Sequence, residues 1–287
     1  MTENNCIWES TIGTREENQD SLRADFEKKI FLMADGMGGR QHAAGAEASD
    51  LTTYYLMKKM LMLQSGLERG IVKEEKILRR ISRAIGETNQ VITSIAKNVG
   101  SLSHCGTTLD TCMIYNNKLY GGHVGDGAVY IANIQDDTIE KLTTEEVYLP
   151  KDISQLLETE QQVLKGESDL TNYIGKEPNI NVELYEKPFK DGDILIMGTD
   201  GFTSMVAEEE ILGILYDSQI EQNIISRIFL GEKRTKEEQI KEDLRWIAEN
   251  PIMIRDAYDS LSLTEEFNLD ITNKLGDNIT FMIYGRI

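Results

Sequence analysis

The sequence predicts an α+β fold in which β-sheets pack against each other and helices cover them on the outside. Short strand-like segments open and close the chain, and two long segments of helical periodicity follow the first strands. A second helical region lies between the last two strand-like segments. Runs of strands separated by runs of helices are typical of the α+β class. Because no linker rich in Pro, Gly or Ser divides the 287 residues, we expect one domain over residues 1–287.

The first part of the chain combines short strands with two long helices. Strand patterns at residues 7–13, 21–25 and 29–34 each end near charged residues. Apolar residues at helical spacing then predict one helix over residues 43–62 and a second over residues 74–99. The apolar stripes consist of Ala44, Ala48, Leu51, Tyr55 and Met62 in the first helix, and of Ile77, Ile81, Ala84, Thr88, Val91 and Ile95 in the second.

Strand-forming residues dominate the middle of the chain. Residues 106–115, 117–124 and 127–134 are rich in Thr, Tyr, Val and Ile. Turn-forming residues at 116–117 and 125–127 separate these segments. The alternation predicts an antiparallel meander.

The last part of the chain returns from polar sequence to strands and helices. Residues 145–172 are polar and weakly patterned, which predicts a long flap-like loop with some helix. Strand patterns reappear at residues 180–186 and 193–198. A charged helical pattern runs from residue 208 to about residue 261, and residues 280–287 form a final strand pattern.

The charge balance excludes several classes of partner. The chain has 49 acidic and 30 basic residues, a formal charge of −19, and no block of basic residues. Phosphate binding by a surface needs positive charge, so we expect neither nucleic acid nor a membrane as a partner.

The three cysteines have no CxxC spacing, and the first residues lack the basic and apolar regions of a targeting segment. We therefore expect a cytoplasmic protein.

Four short segments place an aspartate where a strand starts or stops. They are NQD at 18–20, ADGMGG at 34–39, GTDGF at 198–202 and GDNIT at 276–280. Glycines beside the aspartates allow close backbone approach, and Mg²⁺ and Mn²⁺ prefer carboxylate and carbonyl oxygens. For any single segment the alternative is an ordinary Asp-Gly turn. A fold that gathers these strand ends would instead create a site for a hard cation.

Six motifs in one order provide a more specific signal. They are TREENQDS, FLMADGMGG, CGTTL, HVGDGAVY, GTDGFTSMV and GDNIT. Together they resemble the metal-dependent Ser/Thr protein phosphatases of the PPM family, also called type 2C, and especially its bacterial members. The resemblance extends from about residue 7 to residue 287. It implies a four-layer α/β/β/α sandwich of two antiparallel sheets flanked by helices, with a metal cleft at one edge.

The resemblance implies a centre of two ions, either Mg²⁺ or Mn²⁺. Carried over motif by motif, Asp35 would bridge the two ions and the Gly36 carbonyl would bind one of them. Asp200 and Asp277 would complete the coordination of the other. Asp35 and Asp200 would thereby also serve in catalysis.

Three further positions match the family pattern. Asp20 would act mainly through metal-bound water, and Asp126 would help to hold a weaker third ion. Arg15 would hold the substrate phosphate, because a guanidinium group can bind two oxygens at once. The implied reaction is hydrolysis of phosphoserine and phosphothreonine in phosphorylated proteins by a metal-bridging hydroxide. Such an enzyme would oppose a Ser/Thr kinase.

This chain departs from the family pattern at several places. Gln19 stands where many members have Glu, and Met37 stands where eukaryotic relatives have a His that is proposed as a general acid. Arg40 and Gln41 resemble a small insertion. The segment near residues 208–275 is longer than usual, and we expect additional helices there.

Two questions stay open at the level of sequence. The chain has three histidines, His42, His104 and His123, for which we expect structural or solvent-facing roles. Asp110 lies within a predicted strand and matches no ligand of the family. The alternative function is a catalytically weak or silent relative that uses the fold as a binding or regulatory module.

Overall fold

The structure, a computed structural model, describes residues 5–38, 43–102, 105–149, 154–166, 168–220, 236–249 and 277–285. Its strands are β1 (Asn5–Thr11), β2 (Asp20–Asp25), β3 (Ile30–Met37), β4 (Gly106–Thr107), β5 (Leu109–Tyr115), β6 (Lys118–Val124), β7 (Ala128–Asn133), β8 (Thr138–Lys141), β9 (Glu183–Pro188), β10 (Asp193–Gly198) and β11 (Ile279–Gly285). Its helices are α1 (Ala43–Glu68), α2 (Ile77–Asn98), α3 (Glu158–Gly166), α4 (Asp200–Thr203), α5 (Glu208–Ile220) and α6 (Lys236–Glu249).

The strands form two antiparallel sheets. The first sheet has the order β1-β11-β10-β7-β8, and the second has the order β2-β3-β5-β6-β9, with β4 paired to β3. Strand β3 shows how the sheets pack, since successive side chains point to opposite faces. Phe31 and Met33 belong to the core between the sheets, whereas Ile30 and Leu32 pack against α1 and α2.

The remaining layer covers the outer face of the first sheet. Ile194 and Ile196 of β10 lie in one apolar cluster with Ile211 of α5 and Leu244 of α6. Helices therefore cover both outer faces, and the predicted four-layer α/β/β/α sandwich is confirmed. No helix in the described ranges is long and apolar enough to cross a membrane.

Several predicted elements differ from the observed ones. The expected meander is wrong in its last step: β5 and β6 form a hairpin, but β7 joins the other sheet beside β10. Residues 125–127 form the connection between the two sheets. Strand β3 also continues past residue 34 to Met37, because β4 pairs with its end. Strand β8 was not predicted.

The helix predictions need smaller corrections. Helix α1 continues to Glu68, and Met62 is 75% exposed, so it does not belong to the buried stripe. Leu56 and Met60 occupy that stripe instead. In the flap-like segment, α3 is the helical part, and Val147 bridges to Leu170. Of the segment near 208–275, only α5 and α6 lie within the described residues.

Candidate metal centre

An acidic cleft of about 940 Å³ lies where strands of the two sheets end on the same side. Six of the seven predicted site residues line it: Arg15, Asp35, Gly36, Asp126, Asp200 and Asp277. Met37 also lines the cleft, and its thioether has no proton to donate. His42, His104, Arg40 and Gln41 lie outside the described residues.

The topology explains why carboxylates from distant parts of the chain meet at this cleft. Asp20 begins β2 and lies directly opposite Asp35 in the β2–β3 ladder. Strand β10 ends just before Asp200, and β11 begins just after Asp277 and Asn278. These two strands are antiparallel neighbours, so the end of one and the start of the other share one edge.

Backbone hydrogen bonds hold Asp35 in place at the end of β3. Its N–H donates to the Thr108 hydroxyl at 2.9 Å, while the N–H of Thr108 donates to the Asp35 carbonyl at 2.8 Å. The Thr107 hydroxyl donates to the same carbonyl at 2.7 Å. The two threonines thus fix the main chain of Asp35 and leave its carboxylate for the cleft.

The Asp35 carboxyl lies among like charges. Burial raises its pKa well above the usual value, and the neighbouring carboxylates of Asp20 and Asp200 raise it further. Ionising all of these groups together is therefore unfavourable unless a positive charge enters the cluster.

Asp20 does not itself line the cleft, but it interacts electrostatically with Asp200 and Asp277, which do. Burial raises its pKa to about 7, with further contributions from Asp200 and Asp277. Hydrogen bonds from the hydroxyls of Thr280 and Thr199 act in the opposite direction, and the Thr199 bond to Asp20 Oδ2 measures 3.0 Å. The other oxygen, Oδ1, is buried and has no hydrogen-bond partner among the residues that the structure describes. Such an oxygen fits a site that binds a cation or its water.

Gly36 allows the first turn of α1 to approach the end of β3. A Cβ atom at Gly36 would lie 2.1 Å from the Gly45 carbonyl oxygen and 2.7 Å from that of Gln19. The N–H of Gly36 donates to the same Gln19 carbonyl at 3.0 Å. Any larger residue would displace α1 from the cleft wall.

The Asp277–Asn278 pair connects the last strand to the N-terminal loop. Asn278 accepts the N–H of Gln19 at 2.8 Å and donates to the carbonyls of Ile12 and Glu17. Arg15, which is half-exposed, contacts Asp277 Oδ2 at 2.9 Å. The arginine therefore sits at the rim of the acidic cleft.

The donor set fits a hard divalent cation, although the side chains are not arranged around a single point. Within the described ranges, no three Asp, Glu, His or Cys side chains stand close enough together to ligate one ion as they are. The available donors are carboxylate and carbonyl oxygens, which Mg²⁺ and Mn²⁺ prefer. The raised pKa of Asp20 and of Asp35 shows that added positive charge would stabilise the ionised cluster.

Sequence reasoning missed the residues that support the acidic cluster. Thr107, Thr108, Thr199 and Asn278 each hold a backbone or carboxylate group of the site. The one available signal was that they lie within or beside the recognised motifs. Asp110 pairs with His123, which is fully buried and has both ring nitrogens hydrogen-bonded.

The two-sheet sandwich and its acidic cleft define a class of protein, an α/β/β/α sandwich with a site suited to divalent cations. The model of the protein phosphatase 2C family matches residues 9–244, which is most of the chain. The chain therefore belongs to the protein phosphatase 2C family and is a phosphoprotein phosphatase.

Individual relatives agree with this family. The serine/threonine phosphatase stp of Listeria innocua is 28% identical over 214 residues, which cover 70% of this chain and 78% of that protein. Among solved structures, the Mycobacterium tuberculosis serine/threonine phosphatase PstP/Ppp superposes with a TM-score of 0.69 at 20% identity, covering 99% of this chain and 98% of that one. A PstP catalytic domain in complex with two manganese ions gives a TM-score of 0.65 at 20% identity, covering 98% and 97%. At these identities the structural likeness supports the fold.

Proposed function

We propose that this chain hydrolyses phosphoserine and phosphothreonine in proteins, with two Mg²⁺ or Mn²⁺ ions and a weaker third ion in its cleft. The main support is that Asp20, Asp35, Asp200 and Asp277, which come from four separate segments, interact electrostatically at one edge of the sandwich. The serine/threonine specificity follows the relatives named phosphatases of that type. The manganese-bound PstP domain supports the number of ions.

Each residue has a defined task in this proposal. Asp35, the Gly36 carbonyl, Asp200 and Asp277 would hold the two ions. When bound, the ions would lower the pKa of the attacking water and neutralise charge that develops on the phosphoryl oxygens. Asp35 and Asp200 would thereby orient the nucleophile.

Three other residues would act around this centre. Asp20 would accept a hydrogen bond from water in the site through Oδ1, and Asp126 would hold the third ion. Arg15 can exchange its contact with Asp277 for two oxygens of the phosphate, because both arrangements use the same guanidinium donors. No group at Met37 can protonate the leaving alkoxide, so water or another group would supply that proton.

The test is hydrolysis of p-nitrophenyl phosphate and of a phosphothreonine peptide with Mn²⁺, followed by EDTA. We expect activity with the metal and its loss in chelator. Asp200→Ala should lower kcat at least about 1,000-fold, since several kcal/mol of transition-state stabilisation depend on the ions. Full activity in EDTA, or an active Asp200→Ala variant, would contradict the proposal.

The cellular setting can be tested separately. Phosphorylated proteins as substrates imply an opposing Ser/Thr kinase, and the composition predicts a cytoplasmic enzyme. Phosphoproteomics of a deletion strain should show raised serine and threonine phosphorylation at specific sites. An unchanged phosphoproteome would argue for the alternative, a silent module.

A further inference from the structure

A buried ion pair lies beneath the loop that carries Asp126. Asp110 of β5 and His123 of β6 are cross-strand neighbours, and both are nearly inaccessible, with 2% and 0% of their surface exposed. Asp110 Oδ1 lies 2.8 Å from His123 Nδ1. Neither residue lines the cleft, and neither belongs to the proposed ion ligands.

The hydrogen-bond partners fix the protonation state of His123. Nδ1 faces the Asp110 carboxylate, while Nε2 faces the carbonyl oxygens of Gly125 at 2.9 Å and Thr144 at 3.1 Å. Because these three groups only accept, both ring nitrogens must carry a proton. Burial alone would lower the pKa of His123, but the Asp110 charge and hydrogen bond raise it to about 9. The imidazolium therefore persists at neutral pH.

The ion pair contacts the backbone on both sides of Asp126. On one side, His123 Nε2 donates to the Gly125 carbonyl. On the other side, Asp110 Oδ2 lies against Gly127, where an added Cβ atom would come within 2.2 Å of it. One charged pair thus bonds to one of the residues flanking Asp126 and packs closely against the other.

Glu146 holds the same loop from the other direction. The N–H of Gly125 donates to Glu146 Oε2 at 2.9 Å, and the N–H of Glu146 donates to the Gly125 carbonyl at 2.7 Å. Asn172 also donates to Glu146 Oε2, at 2.7 Å. Gly125 is therefore fixed at its N–H by Glu146 and at its carbonyl by both Glu146 and His123, which are groups from two separate segments.

We propose that His123, supported by Asp110, is a positioning residue that fixes the Gly125–Gly127 loop and so sets the cation affinity contributed by Asp126. The inference rests on the proposed role of Asp126 in holding an ion. Groups that orient a ligand of a metal ion typically change metal affinity by about 10- to 100-fold when they are removed.

A matched pair of substitutions separates the two hydrogen bonds of His123. In His123→Asn the amide nitrogen replaces Nδ1 and keeps the bond to Asp110, but the bond to the loop is lost. In His123→Gln the amide nitrogen replaces Nε2 and keeps the bond to the Gly125 carbonyl. Calorimetric titration with Mn²⁺ should show the weakest class of sites about 10- to 100-fold weaker in His123→Asn and closer to the parent in His123→Gln.

The Asp126→Ala background shows whether the effect passes through Asp126. There, His123→Asn should cause no further loss of Mn²⁺ affinity, because the group it positions is already absent. Two results would overturn the positioning role. One is a folded His123→Asn protein with the Mn²⁺ affinity of the parent, and the other is a loss of Mn²⁺ affinity on adding His123→Asn to Asp126→Ala that equals the loss in the parent. A parent that binds no Mn²⁺ at all would instead overturn the proposed function.

A second variant tests the proposal without changing the buried His123, where a substitution can prevent folding. Glu146→Ala removes the other anchor of the loop from a partly exposed site and should also weaken the weakest Mn²⁺ sites. Its control is Glu140→Ala on β8, which removes the same charge from an exposed pair with Lys187. Glu140→Ala should bind Mn²⁺ as the parent does. Equal Mn²⁺ affinity in both variants would contradict the proposal.

Discussion

Two cross-strand pairs in the second sheet have the same geometry and opposite electrostatics. Asp20 faces Asp35 across β2 and β3, and Asp110 faces His123 across β5 and β6. In the first pair burial, and then like charges, raise both pKa values, whereas in the second pair the partner supplies the opposite charge. Like charges directly opposite destabilise a ladder, and opposite charges stabilise it.

The difference between the pairs shows which acidic residues need a bound cation to compensate their charge. The Asp110 carboxylate has its counter-ion within the fold, so its burial requires no ligand. Among the residues that the structure describes, neither Asp20 nor Asp35 has such a counter-ion at close range, and Asp35 lines an open cleft. An acidic pair that the fold leaves uncompensated is therefore the better indicator of a cation site.

The largest expected effect on stability comes from breaking the compensated pair. His123→Leu leaves Asp110 buried without its counter-ion, and removing one partner of a buried pair costs about 3–5 kcal/mol. Urea unfolding in EDTA should show a free energy of unfolding lower by that amount. The control Glu140→Ala should remain within about 0.5 kcal/mol of the parent. A His123→Leu protein as stable as that control would show that the pair contributes little.

The sequence allowed one of these two pairs to be predicted and not the other. Asp20 and Asp35 stand at strand ends, beside glycine or within recognised motifs. An antiparallel fold was therefore enough to predict that the two residues lie close together. Asp110 lies within a strand that is buried from Leu109 to Ile114, where the sequence pattern gives no indication of a charged partner. Its register with His123 depends on the hairpin turn at Asn116 and Asn117, which adopt positive φ values of 49° and 57°.

The crossing of β7 to the other sheet could not be predicted for a related reason. Residues 125–127 signal a turn, but turn chemistry does not specify which sheet the next strand joins. The choice depends on the pairing of β7 with β10, which is distant in sequence. The same crossing places Asp126 between the sheets at the cleft.

An intermediate effect should appear as a pH dependence of stability. The pKa of His123 is raised from 6.5 to about 9 by Asp110, against the effect of burial, with further contributions from Glu146 and Glu183. Because the folded-state pKa is the higher one, this stabilisation is complete below pH 6.5 and is lost as the pH rises through 9. The loss amounts to about 3 kcal/mol.

Urea unfolding in EDTA between about pH 6 and about pH 10 measures this loss. Asp110→Asn removes the charge that raises the pKa of His123, and its amide can still donate to Nδ1 of a neutral imidazole. The decrease in stability should therefore be much smaller in this variant than in the parent. An equal decrease in both proteins would assign the pH dependence to other groups.

The smallest expected effect has the opposite sign and comes from the uncompensated pair. Asp20→Asn removes a charge whose pKa burial and neighbouring carboxylates raise to about 7, while the amide oxygen can still accept the bond from Thr199. In EDTA at about pH 8, we expect the free energy of unfolding to rise by about 2 kcal/mol, because repulsion within the cluster is relieved. Mn²⁺ should then stabilise the parent more than the variant, since a ligand that binds the folded state more tightly adds more stability at the same concentration. If Asp20→Asn instead destabilised the metal-free protein as His123→Leu does, the acidic cluster would be a structural network like the Asp110–His123 pair. If Asp20→Asn is more stable than the parent without metal and gains less stability from Mn²⁺, the charge repulsion in the parent destabilises the metal-free fold and contributes to ion binding.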